Sequence, residues 1–393
     1  MHTRRLVCTL TVLLLGAAPS LFATSYQTVG LVASDATVAA QYGVTLPPDP
    51  SLINPWGMSF SATSPFWVSN QGMKNSTLYS GAGVKNTMLT VAIPPTATGP
   101  QGPTGQVFNS AGTGNFVVSG TAAAFIFDTL AGTIDAWQGG LGMTAAQVAA
   151  TSGAVYTGLT LASVGTTNYL YAANFTNGGG IRVFDNTFTD VTASTFAGKF
   201  VDSNAPAGYA PYNVQVITNN NTSLLYVEYA QVGTGGAVRA PGLGFVDVFD
   251  TSGNLQKTLI GTGGTLNAPW GVALAPSDFG DFSNDLLVGN FGDGLIHAYD
   301  PNSGALKGTL ANGGIDIVIP GLWGLDFRTN GGSNSVPNGL YFTAGINGPT
   351  NQSAGLFGYV APVPEPSAYG LAGLGIAGLL GFALSRGKVR ARP

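Results

Sequence analysis

The side chains best suited to catalysis are scarce in this sequence. The chain has one cysteine, Cys8, and two histidines, of which only His297 lies away from the N-terminus. Serine–histidine–aspartate catalysis, cysteine–histidine catalysis and zinc sites all need more of these side chains. His297 also occupies a position in a recurring pattern that is elsewhere filled by Asp135, Arg182 or Asp247. Because that position accepts both charges, we expect it to face solvent and to have no catalytic role.

Oxygen ligands are most concentrated in one short acidic segment. It contains Asp278, Asp281, Asn284 and Asp285. Ca²⁺ takes about six to eight oxygen atoms from loops of this composition, but the spacing here does not match an EF-hand. A solvated acidic loop is therefore the favoured interpretation, with calcium bound by these four residues as the alternative. The sequence indicates no other cofactor.

The candidate residues lie on secondary-structure elements that are defined by an internal repeat. Residues 54–60 recur as 268–274 and 321–327, each with a tryptophan directly before a glycine. Together with three weaker copies they define six units, whose marker residues are Gly57, Gly105, Gly158, Asn213, Gly271 and Gly324. Successive markers are 48, 53, 55, 58 and 53 positions apart. The chain is therefore built from six similar units.

Each marker is followed by two further apolar runs. The second run is apolar almost throughout, as in residues 286–290, and the third alternates apolar and polar residues, as in residues 246–250. Such patterns, rich in β-branched and aromatic residues, predict strands. Asp185, Asp250 and Asp300 end third runs and precede turns, so we expect their side chains to bond to the turn backbone.

Six such units predict an all-β fold, a six-bladed β-propeller, with a pair of β-sandwiches as the alternative. A ring removes exposed strand edges, which would otherwise promote aggregation of a glycine-rich chain with little charge. Residues 26–33 precede the first marker and belong to no unit. We expect them to form the outer strand of the sixth blade, paired with the strand that ends near Tyr359, and so to close the ring.

Aromatic residues stand directly before four of the markers. These residues are Trp56, Tyr212, Trp270 and Trp323. If each marker begins the innermost strand of its blade, the four rings surround one mouth of the central channel. Core packing between blades is the favoured interpretation, and an aromatic platform for sugar rings is the alternative.

Glu228 is the only glutamate outside the C-terminal tail. It lies on a second run, so it could reach the channel, where propeller hydrolases and lactonases place a metal-binding acid. The favoured interpretation is instead a single paired acid at a junction between blades.

The N-terminus has the order of a secretory signal peptide. Arg4 and Arg5 precede an apolar run, residues 6–15, which is followed by small residues. We predict cleavage after Ala23, with cleavage after Ala18 as the alternative.

The C-terminus carries a second signal. Pro364-Glu365-Pro366 precedes an apolar run, residues 369–384, and then four basic residues. As a helix this run would span about 24 Å, near the short limit for crossing a membrane. The order of motif, helix and basic cluster resembles the PEP-CTERM sorting signal of Gram-negative bacteria. The resemblance implies that an exosortase, a membrane protease, reads Pro364, Glu365 and Pro366; a plain C-terminal anchor is the alternative.

Four segments of the body, residues 31–35, 49–57, 103–109 and 287–294, resemble an uncharacterised family of secreted bacterial proteins related to NHL-type propellers. The resemblance extends over residues 26–360. It implies a six-bladed propeller outside the cytoplasm and brings no established activity.

Charge excludes one class of partner. Six of the 14 basic residues and one of the 18 acidic residues lie in the terminal segments. That leaves 8 basic and 17 acidic residues in the body, a net charge of about −9. Such a body repels phosphate backbones, so we expect no nucleic-acid partner.

The sequence therefore predicts a signal peptide (1–23), a propeller (24–361) and a sorting segment with a single transmembrane helix (362–393). We expect transient anchoring in the inner membrane and a final location at the cell surface, in the outer membrane or outside the cell. The favoured function is a non-enzymatic binding or structural module of the surface or extracellular matrix, with an exosortase as processing partner and polysaccharide as ligand. A calcium-dependent hydrolase or lactonase is the second hypothesis, and a scaffold for another exported protein is the third.

Overall fold

The computed structural model describes residues 24–96, 101–346 and 353–363. The predicted signal peptide and the sorting tail from residue 364 lie outside these residues. In the described part of the chain α-helix is limited to α1 (Ala36–Tyr42), and no helix there is long and apolar enough to cross a membrane. Four short 3₁₀ helices are Gln71–Met73, Gly139–Leu141, Gly280–Phe282 and Gly332–Asn334.

Six sheets arranged around an axis make the molecule a six-bladed β-propeller. Its strands are β1 (Tyr26–Ala33), β2 (Pro55–Ser59), β3 (Phe66–Asn70), β4 (Asn75–Tyr79), β5 (Lys85–Ala92), β6 (Pro103–Phe108), β7 (Val117–Val118), β8 (Thr121–Ala122), β9 (Phe125–Thr129), β10 (Thr133–Trp137), β11 (Ala146–Ala150), β12 (Tyr156–Val164), β13 (Thr167–Asn174), β14 (Ile181–Asp185), β15 (Tyr209–Asn219), β16 (Thr222–Gly233), β17 (Gly236–Ala237), β18 (Phe245–Asp250), β19 (Leu255–Ile260), β20 (Pro269–Leu274), β21 (Leu286–Asn290), β22 (Ile296–Tyr299), β23 (Leu306–Thr309), β24 (Ala311–Asn312), β25 (Ile315–Asp316), β26 (Leu322–Phe327), β27 (Leu340–Ala344) and β28 (Leu356–Pro362). The blades are β2–β5, β6 with β9–β11, β12–β14, β15–β19, β20–β23, and β26–β28 with β1.

The N-terminal strand closes the ring. β1 pairs antiparallel with β28, from Tyr26 opposite Pro362 to Ala33 opposite Leu356. It is therefore the outer strand of the sixth blade, which confirms both the expected closure and the number of blades. The start of this strand is also tied to the fifth blade, because the Asp281 carboxylate accepts hydrogen bonds from the Thr24 backbone N–H at 2.6 Å and its hydroxyl at 2.8 Å.

The six marker residues meet at the axis. The backbones of neighbouring inner strands lie so close together that a Cβ atom does not fit at several glycine markers. A Cβ on Gly105 would overlap the backbone nitrogen of Leu159, and one on Gly271 would overlap the carbonyl oxygen of Trp323. Asn213 takes this place in the fourth blade, where its Nδ2 donates to a backbone carbonyl of β20 at 2.6 Å. The resulting axial cavity is only about 20 Å³.

The turn aspartates confirm the sequence interpretation. In Asp185, Asp250 and Asp300, the side-chain oxygen Oδ1 accepts hydrogen bonds from backbone N–H groups two to four residues further along, at 2.8–3.0 Å. These side chains replace backbone partners at the turns that follow the third strands.

The expectation of a solvent-facing position on the third strands is wrong for three of its four residues. Asp135, Asp247 and His297 are at most 4% exposed, and only Arg182 remains half-buried. An alternating pattern does not distinguish a strand face that the rest of the fold covers from one that faces water. Burial raises the pKa of Asp135 to about 7 and lowers the pKa of His297.

The axial packing predicts that Gly105→Ala destabilises the propeller strongly. The added methyl group would meet rigid backbone on the next inner strand, so we expect a loss of at least about 2 kcal/mol in the free energy of unfolding. Denaturant unfolding measures this loss. Gly261→Ala is the matched control, because nothing lies within 4 Å of its Cβ position, and it should change stability by at most about 0.5 kcal/mol. Equal stability of the two variants would contradict the axial packing.

Candidate functional site

The four aromatic residues that precede markers lie together at one mouth of the channel. Trp56 stacks on Trp323 with ring centroids 3.5 Å apart, and Trp270 meets both rings edge-on at 6.2 and 5.8 Å. Tyr212 packs beside Trp56 and Trp323 at 6.5 and 5.9 Å. All four are at most 6% exposed. They form an aromatic plug over the axis.

Two tryptophans of the aromatic plug have their N–H groups bonded within the protein. Trp323 lies between Trp56 and Phe291, whose ring stacks on it at 4.0 Å, and its Nε1 donates to Asn54 Oδ1 at 3.0 Å. The Nε1 of Trp270 donates to the Thr157 carbonyl at 2.9 Å. These contacts give both indoles a packing role.

A pocket of about 780 Å³ opens over the aromatic plug. Its floor includes Trp56, Tyr212, Trp323 and two further rings, Phe175 and Phe291. One wall is a glycine-rich hairpin in which β16 turns into β17, with Val232 opposite Ala237 and Gly233 opposite Gly236. We call this feature the mouth pocket.

Several hydrogen-bond donors at the mouth pocket have no partner among the described residues. Trp56 Nε1 is buried and has no hydrogen-bond partner among the described residues. The Tyr212 hydroxyl likewise makes no hydrogen bond within residues 24–96, 101–346 and 353–363, and burial raises its pKa, so it stays protonated. Arg239, at the end of the hairpin, is exposed and has no ion pair or hydrogen bond in this part of the chain. Gln71, by contrast, is bonded to Asn54 and Gln101.

The residues of the acidic segment make separate contacts in the structure and are not grouped as the ligands of one metal ion would be. Asp281 binds Thr24, and Asn284 has a left-handed backbone with φ 64°. The backbone carbonyl of Asp278 accepts a hydrogen bond from Asn338, while Asp285 is buried, which raises its pKa. Among the described residues, no three histidine, cysteine, aspartate or glutamate side chains are placed to hold one metal ion.

Glu228 is buried without the partner that the sequence interpretation gave it. It lies opposite Asn213 on β16, is 0% exposed, and neither carboxyl oxygen has a hydrogen-bond partner among the described residues. Burial therefore raises its pKa well above the ordinary value. The carboxyl group lines neither the mouth pocket nor the axial cavity.

Burial raises the pKa of several acids in the blades. Asp326 is the one acid that lines the axial cavity, and burial raises its pKa to about 7. Burial also raises the pKa of Asp128 to about 7, although its Oδ1 accepts hydrogen bonds from Thr104 Oγ1 at 2.8 Å and from Gly105 N–H at 2.6 Å. Asp128 thus braces the inner strand β6.

Sequence reasoning missed the hairpin wall of the mouth pocket. Residues 232–239 contain three glycines between flanking valines, which is a hairpin signal. That signal predicts a turn but does not indicate that Arg239 comes to lie beside the aromatic plug. Phe175 and Phe291 follow second strands directly and were missed for the same reason.

The C-terminal segment has a recognised family. Residues 362–387 match the PEP-CTERM protein-sorting motif. The match indicates export, sorting to the cell envelope or surface, and processing by an exosortase-type protein.

The body has relatives and structural neighbours. The uncharacterized protein L690 of Acanthamoeba polyphaga mimivirus is 31% identical over 296 residues, which cover 70% of this chain and 74% of that protein. The uncharacterized protein R648 of the same source is 28% identical over 314 residues, covering 76% and 73%. The GH93 alpha-L-arabinofuranosidase of Fusarium graminearum, solved with arabinobiose, has a TM-score of 0.50 at 12% identity, covering 86% of this chain and 97% of that chain. At this identity the likeness shows the fold alone.

The buried acids predict that stability rises as the pH falls from about 8 to about 5. In the native state Asp128, Asp135 and Asp326 keep protons up to about pH 7, whereas the unfolded chain releases them near pH 3.8. Because the native state binds more protons in this window, the free energy of unfolding decreases as the pH rises. We expect Asp128→Asn, which keeps the accepting Oδ1, to flatten this dependence by on the order of 1 kcal/mol.

Thermal unfolding at a series of pH values measures the effect. Asp278→Asn, at an exposed aspartate, is the matched control and should leave the slope unchanged. A melting temperature that is constant or rises toward pH 8 in the parent protein would contradict the neutral state of these acids.

Proposed function

From the geometry of its mouth pocket, we propose that this chain is an exported, non-enzymatic module that binds saccharides at the cell surface. The chain belongs to the same family as the uncharacterized protein L690 of Acanthamoeba polyphaga mimivirus. The observation that carries this proposal is the pocket itself, about 780 Å³ in volume over an aromatic floor. Ligand sites in proteins are typically concave, about 300–1,000 Å³, and largely apolar with a few polar groups. The apolar faces of sugar rings pack against aromatic side chains of this kind.

Rigidity of the floor supports binding. Trp56 and Tyr212 are at least nine-tenths buried and held by ring contacts on several sides. A ligand therefore meets a surface that does not have to be ordered first, which reduces the entropic cost of association.

The arrangement of acids favours binding over hydrolysis. Glycoside hydrolysis generally uses two carboxyl groups on either side of the scissile bond. The mouth pocket contains no acidic residue, and the axial cavity contains Asp326 alone in a space of about 20 Å³. A calcium-dependent hydrolase or lactonase would need acids that converge on the ligand, so we place this hypothesis second.

We propose that the tail, residues 362–393, anchors the precursor transiently in the inner membrane before an exosortase-type protease releases the body to the surface or surrounding matrix. We further place the mature N-terminus at Thr24. Cleavage after Ala23 would convert the Thr24 N–H, 2.6 Å from Asp281 Oδ2, into an ammonium group able to form an ion pair there. Cleavage after Ala18 would leave this group an uncharged peptide N–H.

Filling the mouth pocket should abolish saccharide binding. Ala237 lines the pocket, and Ala237→Trp would occupy space needed by a ligand. Titration calorimetry with hexasaccharides of glucose and of galacturonic acid should show at least about tenfold weaker binding than the parent protein. Ala82→Trp, at an exposed alanine outside the pocket, should bind as the parent does. If neither hexasaccharide binds the parent protein, the proposed function is wrong.

Processing should depend on the carboxylate of Glu365. Glu365→Gln lies outside the propeller and should leave its folding unchanged while blocking tail removal, since the charge is part of the recognised motif. The measurement is the intact mass of the exported protein from a host that carries the exosortase, which also reports whether the product begins at Thr24. Ser367→Ala is the neighbouring control and should be processed. A processed mass identical in Glu365→Gln and the parent would contradict the role of Glu365.

A further inference from the structure

Charge is distributed unusually around the mouth pocket. The body carries more than twice as many acidic as basic residues, yet no acid lines the pocket and its one charged side chain is Arg239. The other two arginines in the described part of the chain are occupied. Arg182 pairs with Asp190 at 3.3 Å, and Arg328 donates to backbone carbonyls, including that of Ser64 at 2.6 Å. Arg239 is thus the arginine left without a partner.

Arg239 lies close enough to the aromatic floor to act with it. Both Arg239 and Tyr212 line the mouth pocket, and the positive charge of Arg239 acts on the Tyr212 hydroxyl, opposing the stronger effect of burial on its pKa. A ligand seated on the floor would therefore be within the field of the guanidinium group.

The free donors of the pocket favour a ligand with acceptor oxygens. The Arg239 guanidinium can only donate, and the Tyr212 hydroxyl has no partner among the described residues. Trp56 Nε1 is also unpaired, but it has almost no accessible surface and is out of reach of a ligand.

We propose that the mouth pocket recognises the carboxylate of an acidic sugar, a uronic acid, with Arg239 as the residue that sets this specificity. A guanidinium group matches the planar geometry of a carboxylate and can bind it through two parallel hydrogen bonds. The sugar ring then lies over the aromatic floor, with the Tyr212 hydroxyl as an additional donor. This inference rests on the proposed saccharide-binding function and names the class of sugar.

The overall charge of the body makes the inference easy to test. A net charge of about −9 repels polyanions over the rest of the surface. A preference for an acidic saccharide over its neutral form therefore has to come from a local cationic site.

The test compares a galacturonic acid hexasaccharide with its fully methyl-esterified form, in which each carboxylate is replaced by an uncharged methyl ester. We expect the parent protein to bind the acid form at least about tenfold more tightly. Arg239→Gln should reduce the affinity for the acid form by a similar factor and leave that for the ester unchanged. Lys307→Gln, at an exposed lysine outside the pocket, controls for the loss of one positive charge. Arg239 is exposed, so the variant should keep the parent melting temperature.

The outcomes separate the two proposals. Equal affinities for acid and ester, with no effect of Arg239→Gln, would overturn the acidic-sugar inference and leave the saccharide-binding function intact. Failure of the acid and ester forms to bind, with binding of the glucose hexasaccharide retained, would overturn the acidic-sugar inference alone. Failure of all three saccharides to bind would overturn both proposals. An equal loss of affinity in Arg239→Gln and Lys307→Gln would assign the preference to net charge and overturn the role of Arg239.

Discussion

Close contact of six inner strands around the axis is the constraint on which the rest of the structure depends. Because these backbones touch, side chains are excluded at markers such as Gly105 and Gly271, and Asn213 is accommodated by a hydrogen bond to the next strand. The same contact brings together the residues that directly precede the markers. Trp56 and Trp323 lie on adjacent inner strands, so their rings stack at 3.5 Å and close one end of the channel. The aromatic plug is therefore a geometric consequence of the axial packing.

The low charge of the chain has a similar origin. A ring of blades buries most strands on both faces, which leaves few positions where an ionised side chain remains in water. The acids that do enter the blades, such as Asp128 and Asp135, have pKa values that burial raises to about 7. Pairing with β1 also covers the edge of β28, which an open ring would expose to solvent.

Much of the fold could be predicted because the repeat is visible and glycine has few substitutes where backbones touch. The six blades, the closing strand and the turn bonds of Asp300 follow from local patterns and spacing. Contacts between distant segments did not follow. Asp281 belongs to an acidic segment for which the sequence favours a solvated loop, with calcium binding as the alternative, and its hydrogen bond to Thr24 joins residues far apart in the sequence. Glu228 was expected to be paired, although no sequence pattern reports whether a buried acid has a partner. Arg239 lines the pocket because the β16–β17 hairpin places it there, and the hairpin signal in the sequence does not indicate that position.

The three tryptophans at equivalent positions of the repeat differ in how their N–H groups are used. Trp270 and Trp323 donate their indole N–H groups to the protein, to Thr157 and Asn54, and serve the packing of the axis. Trp56 occupies the same position of the repeat but leaves its N–H without a partner among the described residues, at the floor of the pocket. Packing alone treats the three positions alike, because each indole is nearly buried. The repeat therefore fixes the position of each indole ring, whereas the hydrogen bonding of its N–H group differs from blade to blade.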